Sequence, residues 1–144
     1  MKLRKALALL CAVALVCALF TSALAAEPQE IIDLGDGFYA VITLNQTPMT
    51  RAGDIVTGSK SGTVYHNGVK VGTATLTGQF DISGSTAKAT RAAITDSGMN
   101  GWSYDRGTTS CSGNKVTGTA YFSSGSNSKS LTLTLTCSPS GVIS

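Results

Sequence analysis

From Gly37 onward, apolar and polar residues alternate with a period of two, and turn residues interrupt the alternation at short intervals. The most regular stretch is 130–137, where Leu131, Leu133, Leu135 and Cys137 share one face and Thr132, Thr134 and Thr136 share the other. That pattern predicts a half-buried strand with β-branched residues on its wetter face. Residues 116–122 repeat it, with Val116, Ala120 and Phe122 inward and Thr117, Thr119 and Tyr121 outward. Residues 37–44 place Phe38, Ala40, Ile42 and Leu44 on one side.

Residues 69–82 are too long for one unbroken alternation. Val69 and Val71 share one parity, whereas Ala74, Leu76, Phe80 and Ile82 share the other. The switch falls at Gly72, which predicts a bulge or kink there. Asn67-Gly68 is a strong hairpin signal, because both residues tolerate positive φ. Ser112-Gly113-Asn114 and Ser83-Gly84-Ser85 read as further turns. Residues 86–95 and 102–111 complete a set of about seven strands. The serine-rich stretch 123–130 reads as a solvated loop.

No comparable helical signal exists. Residues 30–34 have the makings of a turn or two of helix, ended by Gly35 and Gly37. The expected fold class is therefore all-β: a single antiparallel two-sheet sandwich, with a small β-barrel as the alternative. The expected organisation is a signal peptide over 1–25, an N-terminal segment over 26–36 and the sandwich domain over 37–144.

The signal reading rests on Lys2, Arg4 and Lys5, an uncharged apolar run over 6–20, and the small residues Ala23, Ala25 and Ala26. This is the layout of a secretory leader cut after Ala25; an uncleaved anchor is the competing reading. Either way the rest of the chain is exported, and the expected location is extracellular or at the cell surface. Removing the leader also changes the charge. The formal net charge is +3, from eleven bases against eight acids, and those three leader bases account for all of it. A neutral mature chain lacks the basic footprint of a nucleic-acid binder, and it lacks the polybasic cluster that anionic lipid attracts. Hence no nucleic-acid partner is expected, and no membrane after cleavage.

Beyond the leader, the cysteines are Cys111 and Cys137. One pair in an oxidising compartment predicts a structural disulfide between them. A zinc site is disfavoured, because two cysteines and the single distant His66 lack close ligand spacing.

Candidate chemistry is sparse. His66 sits at the mouth of the Asn67-Gly68 turn with no partners at a recognisable spacing, so it reads as an exposed turn residue. Asp33-Leu34-Gly35-Asp36-Gly37 supplies two carboxylates around a glycine turn but not the oxygens of a calcium loop. No serine lies in a nucleophile-elbow pattern. No catalytic residue, metal or cofactor is therefore assigned. The aromatic residues are the best remaining clue. Tyr39, Tyr65, Tyr104 and Tyr121 are candidate binding residues, since rings on a rigid sheet stack on sugars or anchor a partner. Trp102 reads as core packing beside the disulfide.

Three stretches carry a resemblance: Gly35-Asp36-Gly37-Phe38-Tyr39, Ser112-Gly113-Asn114-Lys115, and the ending from Leu133 to Gly141. Together they resemble a family of small secreted Firmicutes proteins of the Clostridia type, whose function is unassigned. The resemblance implies a Gram-positive exported protein and carries over no site residues. The expected function is a secreted, non-enzymatic binding or structural surface protein with a neutral glycan or a protein as partner. The alternative is a secreted hydrolase acting on wall polymers or glycans.

Overall fold

The computed structural model describes residues 29–144, so the expected signal peptide lies outside the described residues. Eight strands follow one another: β1 (Gln29–Gly35), β2 (Phe38–Ala52), β3 (Ile55–His66), β4 (Val69–Asp81), β5 (Lys88–Gly98), β6 (Ser103–Ser112), β7 (Lys115–Ser124) and β8 (Asn127–Thr136). Within each sheet chain neighbours pair antiparallel, giving a five-stranded sheet β1-β2-β3-β4-β5 and a three-stranded sheet β6-β7-β8, with the chain crossing from one to the other between β5 and β6. The architecture is the two-sheet sandwich that the alternation predicts, and neither sheet closes into a barrel.

The strand faces follow the alternation. Leu131, Leu133, Leu135 and Cys137 are buried, as are Val116, Ala120 and Phe122 across the ladder and Phe38, Ala40 and Ile42 in the other sheet. Fully burying an aliphatic or aromatic side chain of this size contributes roughly 1.5–3 kcal/mol, so the facing rows of leucine, valine and phenylalanine hold the layers together. The parity switch in β4 is a bulge. Val64 pairs with Gly72 and Tyr65 with Lys70, which leaves Val71 as the extra residue. Both Val71 and Gly72 are consequently buried. A Cβ on Gly72 would lie 2.5 Å from Cε1 of Phe122, so the bare backbone at this bulge is the seat of that ring.

Three expectations are corrected. Residues 30–34 form no helical turn; they belong to β1, which pairs with β2 from Gln29 opposite Thr43 to Gly35 opposite Phe38. The sandwich therefore takes in most of the segment assigned ahead of it. The serine-rich stretch is no loop either. β7 and β8 run into it, with Ser124 opposite Asn127 and a two-residue turn at Gly125-Ser126. Serine hydroxyls suit the exposed end of a ladder as well as they suit a loop, and Gly125, at φ +60°, makes the turn. The expected disulfide is absent: both thiols are free, Cys111 exposed and Cys137 buried. Cys111 lies on β6 opposite Val116, while Cys137 follows β8 on the other side of β7 and donates its amide to the carbonyl of Asn114, just ahead of β7. Two strand spacings, about 10 Å, separate them, beyond the roughly 4.4–6.8 Å that a disulfide spans between Cα atoms.

After β8 the chain folds back on itself. Gly141 donates to the Ser138 carbonyl, closing a turn around Pro139 and Ser140. Thr136 and Ser144 then exchange amide-to-carbonyl bonds of 2.9 and 3.0 Å. Ile143 is thereby delivered into the core against Gly58.

Candidate functional site

The four candidate tyrosines do not share one surface. Tyr39 on β2 lies directly opposite Tyr65 on β3. Their rings stack with centroids 5.1 Å apart and planes 9° from parallel. Both are half-buried on the outer face of the five-stranded sheet, in a row that runs from Asp33 to Lys70. Because each ring covers one face of the other, the pair offers two adjacent phenol groups and one outer ring face on either side. Tyr121 lies on the outer face of the other sheet, beneath the Arg106 guanidinium at 4.7 Å. Tyr104 belongs to neither outer face; its ring packs edge-on against the buried Phe122.

Beside the Tyr39–Tyr65 pair, the outer face of the larger sheet is paved with hydroxyls. One row across the strands is Val41, Thr63, Thr73 and Ser97, and the next is Thr43, Ser61, Thr75 and Thr95. Ser61 and Thr75 hydroxyls lie 2.8 Å apart, and those of Thr73 and Ser97 2.9 Å apart. These cross-strand bonds fix the hydroxyl rotors. No charge interrupts the two rows.

Asp96 brings a carboxyl between the sheets. It pairs with the buried Ala74 and so points inward from β5. Its Oδ2 is buried without a hydrogen-bond partner. Desolvation raises the carboxyl pKa, and a hydrogen bond from Tyr104 pulls part of the way back. Burial, with the neighbouring carboxylate, raises the Tyr104 phenol in turn. A raised carboxyl is the property of a general acid, but a Cβ on nearby Gly107 would already meet Ile94 and the Tyr104 hydroxyl. The place is a packed seam between β5 and β6 rather than a substrate cleft.

His66 is no free turn residue. Its ring stacks on Phe38 at 4.0 Å and 7°, and its Nε2 lies 3.2 Å from Asn67 Nδ2. Trp102 is half-buried and meets the Phe38 ring edge-on, a packing role that involves Phe38 rather than a disulfide. Asp36 in the first turn pairs with Lys129 at 2.8 Å. Among the described residues, no three His, Cys, Asp or Glu side chains gather as metal ligands would.

The inward placement of Asp96 has a signal in the sequence. Ala92, Ile94 and Asp96 share a parity, which places a charge at an inward position. Compared with protein-family models, curated proteins and solved structures, the chain matches none.

Proposed function

We propose that this chain is an exported, non-enzymatic binding module that holds an extended neutral polymer, a glycan in the first instance, on the outer face of its five-stranded sheet. The observation that carries the reading is the uncharged pair of hydroxyl rows adjoining Tyr39 and Tyr65. Neutral sugars are held by hydroxyl hydrogen bonds and by contact with ring faces, without counter-charge. Pre-fixed hydroxyls and a ring pair locked by mutual stacking lower the ordering cost of such binding. Tyr104 and Tyr121 play no part in this reading, since they lie elsewhere on the molecule.

A glycan array probed with the mature protein tests it. Binding should persist almost unchanged from low to physiological ionic strength, unlike recognition of phosphate polymers. Replacing Tyr39 and Tyr65 together by alanine should weaken it about tenfold or more, the equivalent of about 1.4 kcal/mol. Failure to bind any neutral glycan, together with salt-sensitive binding to an anionic polymer, defeats the reading.

A further inference from the structure

Two turns of the chain carry the same dipeptide, Asn67-Gly68 between β3 and β4 and Asn100-Gly101 between β5 and β6. Their backbones are alike: φ is +48° and +82° in the first, +55° and +82° in the second. Both asparagines are exposed. They differ in what holds the side-chain amide. Asn100 Nδ2 donates to the Lys70 carbonyl at 2.7 Å, an acceptor with no proton to give. Asn67 Nδ2 lies 3.2 Å from Nε2 of His66, the single histidine of the chain.

Both partners in the first turn are held in place. The His66 ring stacks on the buried Phe38 at 4.0 Å and 7°. The Asn67 carboxamide rests over Gly37, where a Cβ would collide with Oδ1 and lie 3.3 Å from Cγ. The Asn67 backbone amide also donates to the Gly37 carbonyl at 3.0 Å. Gly68 lies between the strands, after β3 ends at His66 and before β4 starts at Val69.

We propose that Asn67 is a site of self-catalysed deamidation, with His66 as the catalytic acid. An asparagine ahead of glycine is open to attack by the following backbone nitrogen, because no Cβ shields the approach. The bond that forms joins the Gly68 nitrogen to Asn67 Cγ, and the bond that breaks is Cγ–Nδ2. His66, as imidazolium, delivers a proton to Nδ2 and ammonia departs. The proton that the Gly68 nitrogen sheds returns to the ring through solvent. Water then opens the cyclic imide at either carbonyl, leaving aspartate or its β-linked isomer. One water is consumed and one ammonia released, with no electron transfer. The separation of 3.2 Å allows direct proton transfer. At Asn100 the Lys70 carbonyl can only accept, so that turn lacks the acid. Conversion places a carboxylate over Gly37, one residue from Asp36. The β-linked isomer also adds a backbone atom to a two-residue turn whose geometry depends on its length. Either product loosens the joint between the two turns, at the end of the sheet where Tyr39 and Tyr65 stack.

Trypsin separates the two asparagines, since cuts after Lys60 and Lys70 release one and cuts after Arg91 and Arg106 the other. The folded protein is aged at neutral pH, and each peptide is scored by mass for acid in place of amide. Asn67 should convert about tenfold or more faster than Asn100. In urea, where neither amide is held, the ratio of the two rates should fall toward unity. His66→Phe keeps an aromatic ring against Phe38 and removes the acid, so it should slow Asn67 about tenfold or more relative to Asn100 in the same sample. Equal rates at the two turns of the folded protein overturn the proposal. So does a rate at Asn67, relative to Asn100, that His66→Phe leaves unchanged.

Discussion

The ammonium of Lys129, near the start of β8, lies 2.8 Å from Asp36 Oδ2 in the first turn and 5.0 Å from the centre of the Phe38 ring. It also donates to the Leu34 carbonyl at 3.3 Å. One side chain thereby ties the two sheets together, partly through the face of a buried aromatic ring.

This tie has a pH signature. The Lys129 hydrogen bond, and then its charge, lower the Asp36 carboxyl below its ordinary value. A depressed carboxyl contributes stability above its unfolded pKa and loses it as pH falls through the folded value. Asp36→Asn should flatten the acid limb of the stability curve, measured by denaturant unfolding below pH 4 or so. Because Asp36 is exposed, the change should be small and should shrink further in salt. An acid limb as steep as in the parent chain would count against the tie.

Asp96 has the opposite sign. Burial raises its carboxyl, so the folded state prefers the protonated form, and its favourable share is lost as pH rises through the raised value. Asp96→Asn should remove that loss and leave the protein more stable than the parent near neutral pH. Paired unfolding curves at acid and neutral pH decide it; a variant that is less stable at both refutes this account of the seam.

Gly72 is a packing test. Its hypothetical Cβ lies 2.5 and 2.8 Å from two carbons of Phe122, a ring with no exposure of its own. Gly72→Ala should therefore cost about 1–3 kcal/mol through overpacking, read as a lower urea midpoint at unchanged slope. Unaltered stability would mean that the ring has room to shift.

The thiols should behave independently. Cys111 is exposed, whereas Cys137 is buried and its thiol is pushed up by desolvation. Native labelling should modify Cys111 alone, and Cys137 should react only on unfolding. Reductant should leave the melting temperature unchanged. A mass two protons lighter, restored by reductant, would show a bridge instead.

What the sequence made legible was local. Leucine and threonine at strict alternation from 130 to 136 mark a strand facing a core whatever surrounds it, and the parity change at Gly72 already contains the bulge. Asn67 and Gly68, at φ +48° and +82°, adopt the turn that their chemistry favours. Residues 30–34 were ambiguous because adjacent isoleucines suit a short helix as well as a strand, and only the ladder with β2 decides between them. The disulfide expectation rested on compartment, and compartment says nothing about β7 standing between the two cysteines. For the tyrosines, outward parity was readable at Tyr39. Its partnership with Tyr65 depends on register, and the placement of Tyr104 depends on the shift between Tyr104 and Arg106.

The meander has a consequence for how the chain acquires its structure. Every ladder joins consecutive strands, so each can zip from its own turn on the microsecond scale of hairpins. Such locally wired chains meet a low entropic barrier for β proteins. The contacts between the layers, such as Leu131 on Gly62 and Ile143 on Gly58, join residues far apart in sequence, and they should be the last to form. Until those late residues arrive, the larger sheet presents a bare apolar face to solvent. Substitutions at Gly62 or Gly58 should therefore slow the layer-docking phase of refolding while leaving the hairpin phase untouched.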